Sequence, residues 1–186
     1  MALVVSIALV DFSDEKGRSV VVVTKPLMEM YGIDEQQLFA DAERNSLQYE
    51  PVVFTPLGQM IKDLIKAENL PDPADEGIIA YIATNRSGFH GAFVVSYPDF
   101  CKDAAETLGG SFYLIPSSVH EFILIKDDGT PKAKDLNKMI KNVNDTVLEP
   151  RDFLSDQCYH YDAKTKTLET GLKYADKVKQ KKGGAR

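Results

Sequence analysis

Apolar, β-branched segments occur in pairs along this chain of 186 residues, and helical signals separate one pair from the next. Strands that follow each other across a short polar turn pair antiparallel, and intervening helices pack against the resulting sheet. The sequence therefore predicts an α+β fold with a mixed or largely antiparallel sheet of about six to seven strands and helices packed against it. The predicted strands are Leu3–Phe12, Ser19–Thr24, Gly77–Thr84, Gly91–Tyr97, Phe112–Ile115, Val119–Lys126 and Gln157–Tyr161.

The helical signals between these strands are local and specific. After Thr55-Pro56, apolar residues recur at the spacing of one helix face through Ile65. Asp34 has Gln37 three residues later, which is the pattern of an N-cap, and that helix is predicted to end near Asn45. Two more helices are predicted, one from Pro98 to the Gly109-Gly110 pair and one after Thr130-Pro131.

Residues 1–170 are predicted to form a single domain, since the turn at 13–17 and the linker at 69–76 are both short. The chain carries neither a glycine-rich dinucleotide fingerprint nor a phosphate-binding loop, which argues against a doubly wound nucleotide fold. The opening apolar run has no basic flank and meets Asp11 too soon to span a bilayer. We therefore expect a cytoplasmic protein without a membrane segment and without a cofactor, in which Cys101 and Cys158 are free packing thiols.

The charge of the chain is divided unevenly. The net charge is −6, yet residues 177–186 hold five basic residues and no acid, so the remaining residues sum to −11. An acidic body repels nucleic acid and complements a basic protein surface. Residues 171–186 are predicted to be a basic, fraying tail that touches phosphate weakly at most, through Lys179, Lys181 and Lys182.

The most concentrated set of reactive side chains is the segment Pro116–Glu121. A hydrolase interpretation would make Ser117 or Ser118 the nucleophile and His120 its base, with Glu121 or a distant acid orienting the ring. If 119–125 is a strand, His120 and Glu121 point to opposite faces, and the segment lacks the G-x-S-x-G turn of many hydrolases. The competing interpretation is that the serines satisfy a turn, and we favour it.

Two other groups of polar side chains have the chemistry of a binding site. Cys158, His160 and Asp162 alternate along one predicted strand and carry donors that zinc accepts, but the sequence offers no fourth ligand nearby, so no metal site is predicted. Asn85 and Arg86 lie in a polar turn that offers donors to an anion. A solvated hairpin tip explains the same turn.

From Leu3 to Leu168 the order of motifs resembles an uncharacterised family of bacterial proteins found mostly in gut anaerobes. The most distinctive match is the stretch from Phe112 to Glu121. Typical members look longer, so we expect this chain to lack the N-terminal portion of the family. The resemblance implies a shared fold and no established activity. The other matching stretches are Gly77–Asn85 with Gly91-Ala92, Tyr97–Phe100 with Ala104–Gly109, and Leu154–Asp156 leading to Tyr161-Asp162.

Three functions follow as hypotheses, and the first is favoured. The first is a non-catalytic protein-binding domain that inhibits or modulates a nucleic-acid enzyme. Its acidic body would complement a basic groove on such an enzyme. Small proteins of this kind on mobile elements also often bind a host enzyme. The alternative is a hydrolase built on the Pro116–Glu121 segment. The third is direct nucleic-acid binding through the lysine-rich tail. A homodimer formed through the exposed edge of the opening hairpin is left open.

Overall fold

The computed structural model describes residues 5–10, 18–65, 74 and 77–183. The chain divides into two compact units, residues 1–50 and residues 51–186. The predicted turn at 13–17 lies outside the described residues, as does the predicted linker at 69–76 apart from Ala74. The single-domain extent of 1–170 stays a prediction.

The first unit contains a two-stranded antiparallel sheet, β1 (Ser6–Val10) with β2 (Arg18–Val22). Four consecutive valines, residues 20–23, favour a central strand buried on both faces, but the structure differs from this expectation. β2 pairs only with β1 in this sheet, and Val21 and Val22 are 43% and 52% exposed. A β-branched run favours a strand, but it does not determine how many strands pair beside it.

Two helices complete the first unit. α1 (Lys25–Tyr31) ends at Gly32, whose left-handed backbone (φ 65°) closes the last turn. α2 (Glu35–Tyr49) begins at Asp34, whose side chain accepts a hydrogen bond from Gln37 N at 2.8 Å. The predicted N-cap is therefore confirmed, and the helix runs one turn beyond the expected end at Asn45.

The second unit is built on a six-stranded sheet in the order β3-β4-β6-β5-β7-β8, and each neighbouring pair is antiparallel. The predicted α+β class is thus confirmed, and the sheet is antiparallel throughout. The sequence predicts neither β3, because Thr55-Pro56 indicates a helix start, nor β8, because its four residues include only one apolar side chain. The strands are β3 (Val52–Pro56), β4 (Ala80–Asn85), β5 (Phe112–Ser118), β6 (Glu121–Lys126), β7 (Tyr159–Asp162) and β8 (Thr167–Thr170).

Helices cover both faces of this sheet. The structure differs from the sequence prediction at Gly91–Ser96, which forms a 3-10 helix rather than a strand. The short apolar run there is compatible with either conformation by periodicity alone. The α-helices are α3 (Leu57–Ile65), α4 (Phe100–Leu108), α5 (Ala133–Thr146) and α6 (Gly171–Gly183), and a second 3-10 turn spans Pro150–Asp152.

Alternation along β5 divides the buried side chains into two clusters. Phe112 and Leu114 belong to a cluster that includes Phe100 of α4, whereas Tyr113 belongs to one that includes Ile140 of α5. Successive strand residues point to opposite faces, so α4 lies on one face and α5 on the other. Within the described residues, every helix is too short or too polar to cross a bilayer.

The basic segment after Thr170, predicted to be a fraying helix, forms α6 in the structure. Tyr174 and Ala175 of α6 pack against the cluster beneath α5, and Gly171 is buried. Lys177 forms an ion pair with Glu169 of β8 at 2.6 Å. Amphipathic packing therefore holds the start of α6 against the cluster beneath α5.

Candidate functional site

The segment that carries the sequence-predicted catalytic residues is a β-hairpin. β5 extends through Ser118, and β6 begins at Glu121, with a bulge in their pairing between Pro116 and Ser118. Val119 and His120 form the turn. The expectation that His120 lies on a strand opposite to Glu121 is therefore wrong, because the turn, not strand alternation, sets the direction of its ring.

Both serine hydroxyls take part in hydrogen bonds within this hairpin. Ser118 Oγ accepts a hydrogen bond from His120 N at 3.0 Å. Ser117 Oγ donates to Glu121 Oε1 at 3.4 Å, which is a long contact. These bonds match the turn-stabilising role of serine.

The His120 ring is held between two other loops. Its Nδ1 atom accepts a hydrogen bond from the backbone N–H of His90 at 3.1 Å. Its Nε2 atom lies 3.6 Å from Asp152 Oδ1. An imidazole whose Nδ1 lone pair accepts a bond carries its proton on Nε2 when neutral. In this arrangement neither nitrogen presents a free lone pair to a serine.

His90 adds a second imidazole beside the first. Its backbone is left-handed (φ 50°), a conformation that is uncommon for a residue other than glycine. Its ring stacks on Phe89 with centroids 4.1 Å apart and lies 5.5 Å from the His120 ring. Burial lowers the pKa of His90, the neighbouring His120 lowers it further, and Asp152 opposes both effects.

Close backbone contacts join these loops into what we call the histidine corner, residues 89–91, 118–121 and 150–152. Ala92 N donates to Val119 O at 3.2 Å, and Val119 N donates to Asp152 O at 2.9 Å. A Cβ on Gly91 would overlap Thr84 Oγ1 and would lie 2.5 Å from His120 O, so only glycine fits there. The histidine corner is thus a rigid structure that brings His90, His120 and Asp152 together.

The turn at Asn85 and Arg86, where anion binding was considered, stabilises the histidine corner through internal hydrogen bonds. Asn85 is buried, and its Nδ2 donates to Phe89 O at 3.0 Å. Its Oδ1 accepts a bond from Ser87 Oγ at 3.2 Å. Arg86 is exposed, and its backbone N donates to Pro51 O. Asn85 therefore positions the loop, and anion binding at Arg86 stays a prediction.

The lysines of the predicted tail lie on or beyond the exposed end of α6. Lys179 is 3.6 Å from Asp176, and Lys181 is exposed. The side chain of Lys182 lies outside the described part of the chain, although its backbone belongs to α6. Phosphate contact by these lysines stays a prediction.

The side chains of Cys158, His160 and Asp162 do not converge on one site. Cys158 is fully buried, and its Sγ lies 3.7 Å from Ala133 O. Asp162 Oδ1 accepts bonds from the backbone N–H groups of Lys164 and Thr165. Among the described residues no group of histidine, cysteine and acidic side chains has the arrangement of a metal site.

His160 belongs instead to a buried polar cluster that sequence reasoning missed. Its Nε2 lies 2.8 Å from Asp127 Oδ2, and the Tyr174 hydroxyl donates to the same oxygen at 3.3 Å. Asp127 follows β6, and Tyr174 lies on α6, so their proximity to β7 depends on the strand order β6-β5-β7. No local pattern in the sequence predicts that strand order.

One exposed apolar surface is also part of the second unit. Leu136 and Ile140 face the core, which fixes the rotation of α5. Met139, Val143 and Val147 follow one another at intervals of four and are 45%, 42% and 78% exposed. Val147 N still donates to Val143 O, so the helical spacing continues to that residue. We call these three residues the α5 row.

Comparison with known proteins gives one match. A family model described as a family of unknown function, DUF5688, matches residues 1–163. No curated protein and no solved structure matches the chain.

Proposed function

This chain belongs to DUF5688, a family of unknown function, and we propose that it acts as a non-catalytic domain that binds another protein. The observation that carries the proposal is the α5 row. Single exposed apolar residues are ordinary on protein surfaces. Three in line along α5 and its C-cap, bordering the buried residues Leu136 and Ile140, form the kind of rigid apolar surface that proteins use to bind partners.

The histidine corner supports the same proposal. The Ser118 hydroxyl accepts a bond from the backbone of His120, and the Nδ1 of His120 accepts one from the backbone of His90. Nucleophilic catalysis by serine needs a base with a free lone pair within hydrogen-bond distance of the hydroxyl. The hydrogen bonds here stabilise the hairpin instead, so the hydrolase alternative gains no support from this geometry.

The charge of the chain identifies a class of partner. Residues 1–176 carry a net charge of −11. A surface of that sign speeds encounter with a basic partner and suppresses encounter with nucleic acid itself. The proposed partner is therefore a nucleic-acid enzyme that the chain inhibits or modulates, with a positively charged groove next to an apolar contact for the α5 row.

A capture experiment with matched variants tests this proposal. Val143→Asp places a carboxylate in the α5 row, whereas Asn142→Asp adds the same charge at the adjacent exposed position of α5. Lysate of the organism that encodes the chain is passed over the wild-type protein and both variants at low and high salt. Native mass spectrometry then measures the stoichiometry of any complex.

The expected result is one basic protein held in a fixed ratio by wild type and by Asn142→Asp, and lost with Val143→Asp. Retention should fall as salt increases, because part of the attraction is between opposite charges. Equal capture by Val143→Asp and wild type, or no saturable partner at low salt, would contradict the proposal.

A further inference from the structure

The contact between α6 and the sheet is close-packed at its start. Gly171 lies against β7 and α5, where an added Cβ would be 2.6 Å from Cys158 Sγ and 3.0 Å from Ala133 Cβ. Gly171 N donates to Cys158 O at 2.9 Å. Because nothing larger than glycine fits there, the first turn of α6 packs directly against Cys158, which precedes β7, and against Ala133 of α5.

His160 lies beneath this contact. Its side chain is 1% exposed. The Tyr174 ring of α6 stacks on the imidazole with centroids 3.4 Å apart and planes 7° from parallel. Tyr113 of β5 meets the imidazole edge-on, with centroids 4.9 Å apart. The Tyr174 ring of α6 thus covers one face of the imidazole.

The two nitrogens of His160 have unequal surroundings. Nε2 is 2.8 Å from Asp127 Oδ2, whereas Nδ1 is buried and has no hydrogen-bond partner among the residues that the structure describes. The neutral ring donates from Nε2–H to the carboxylate and leaves one lone pair unused. Protonation would place an N–H donor at Nδ1 with no acceptor, which is a costly arrangement in a buried site.

Charged and titratable groups surround the imidazole from five elements. Asp127 after β6, Asp162 of β7 and Glu169 of β8 each favour the charged ring, but burial outweighs them and lowers the pKa of His160. Burial also raises the pKa of the Tyr113 and Tyr174 hydroxyls and of the Cys158 thiol. Lys173 and Lys177 of α6 face Glu169 rather than the ring.

From this geometry we infer that the docking of α6 on the sheet is pH-sensitive, and that α6 separates locally when His160 takes up a proton. Moving the Tyr174 ring away exposes to water the imidazole face that it covers, so the open form solvates the charged ring better and binds the proton more readily than the closed one. The docked state is fully stable above the ordinary histidine pKa of about 6.5 and loses stability as the pH falls through the lower pKa of His160.

Amide hydrogen exchange at several pH values tests this inference on the full chain. Exchange rates of residues 172–179 in α6, corrected for the intrinsic effect of pH, give the opening equilibrium of the helix. That equilibrium should shift toward the open form by up to about tenfold per pH unit below about 6.5, because opening binds one proton. Amides of β5 and β6 should stay protected, which separates local opening from global unfolding.

Two variants isolate the role of His160. His160→Phe keeps an aromatic ring without a titrating group, and His120→Gln removes a different histidine from the three in the chain. The pH dependence of α6 opening should persist in His120→Gln and vanish in His160→Phe. Equal pH dependence in wild type and His160→Phe, or no pH dependence in wild type, would overturn the inference.

A measurement on the wild-type protein keeps the test decisive if His160→Phe does not fold. The imidazole resonances of the three histidines can be followed by NMR through the titration. His160 should titrate with a midpoint below about 6.5, and a midpoint at or above that value would overturn the inference.

Discussion

The backbone N–H of His90 donates a hydrogen bond to Nδ1 of His120, 3.1 Å away, and so joins the loop after β4 to the turn between β5 and β6. In a triad of the serine-hydrolase kind, the base must keep a nitrogen free to accept a proton from its nucleophile. Here a backbone donor occupies that position. The hydrogen bonds of the most reactive-looking segment therefore join loops, and its residues can be tested for that structural role.

Replacing His120 should reveal this structural role. His120→Ala removes the acceptor for His90 N–H and should lower the free energy of unfolding by about 1 kcal/mol. In His120→Gln a carbonyl oxygen can accept the same bond, so most of that stability should return. Urea denaturation of both variants measures the difference, and a His120→Ala protein as stable as wild type would contradict the assignment.

Gly91 should tolerate no side chain. Gly91→Ala would force a Cβ into Thr84 Oγ1 and the His120 carbonyl oxygen, both of which belong to a packed part of the fold. Overpacking of this kind costs about 1–3 kcal/mol of stability. Thermal or urea unfolding should show that loss. A Gly91→Ala protein within about 0.5 kcal/mol of wild type would show that the loops can separate.

The two thiols should differ in reactivity. Cys158 is fully buried, and burial raises its pKa to about 11, so roughly one thiol in a thousand would be ionised at pH 8. Cys101 is only partly buried, although burial raises its pKa as well. An alkylating reagent at pH 8 should therefore modify Cys101 first, as read from peptide masses. Faster modification of Cys158 would contradict its placement under α6.

The α5 row should contribute little to folding. Val143 is 42% exposed. Val143→Asp should change the free energy of unfolding by no more than about 0.5 kcal/mol, because valine and aspartate have similar helix propensities and the site is at the surface. Circular dichroism with urea, compared with Asn142→Asp, measures this. A large loss of stability would mean that Val143 supports the core.

Local signals predicted much of the fold. The Asp34 cap and the apolar spacing of α5 specify their helices through contacts within a few residues, and both helices are present in the structure. The same spacing predicts that Met139, Val143 and Val147 face inward with Leu136 and Ile140, and that prediction is wrong, because these three side chains are exposed. Paired strands across short turns likewise indicated the antiparallel sheet. By contrast, the run after Gly91 could form a strand or a 3-10 helix, and packing against the β5–β6 turn decided between them.

The sites were harder to predict because they depend on strand order. Ser117, Ser118, His120 and Glu121 are adjacent in the chain, yet the partners of the His120 ring come from residues 90 and 152. The contact between His160 and Asp127 joins positions 33 residues apart across two strands. Neither arrangement follows from local periodicity.

The central claim is that the α5 row binds a protein partner, and an affinity measurement tests it most directly. The protein captured by the wild-type chain is purified and titrated with wild type, Asn142→Asp and Val143→Asp by calorimetry. The account predicts that Val143→Asp raises Kd by at least about tenfold, or ~1.4 kcal/mol, while Asn142→Asp stays close to wild type. Equal affinity of Val143→Asp and wild type would contradict it.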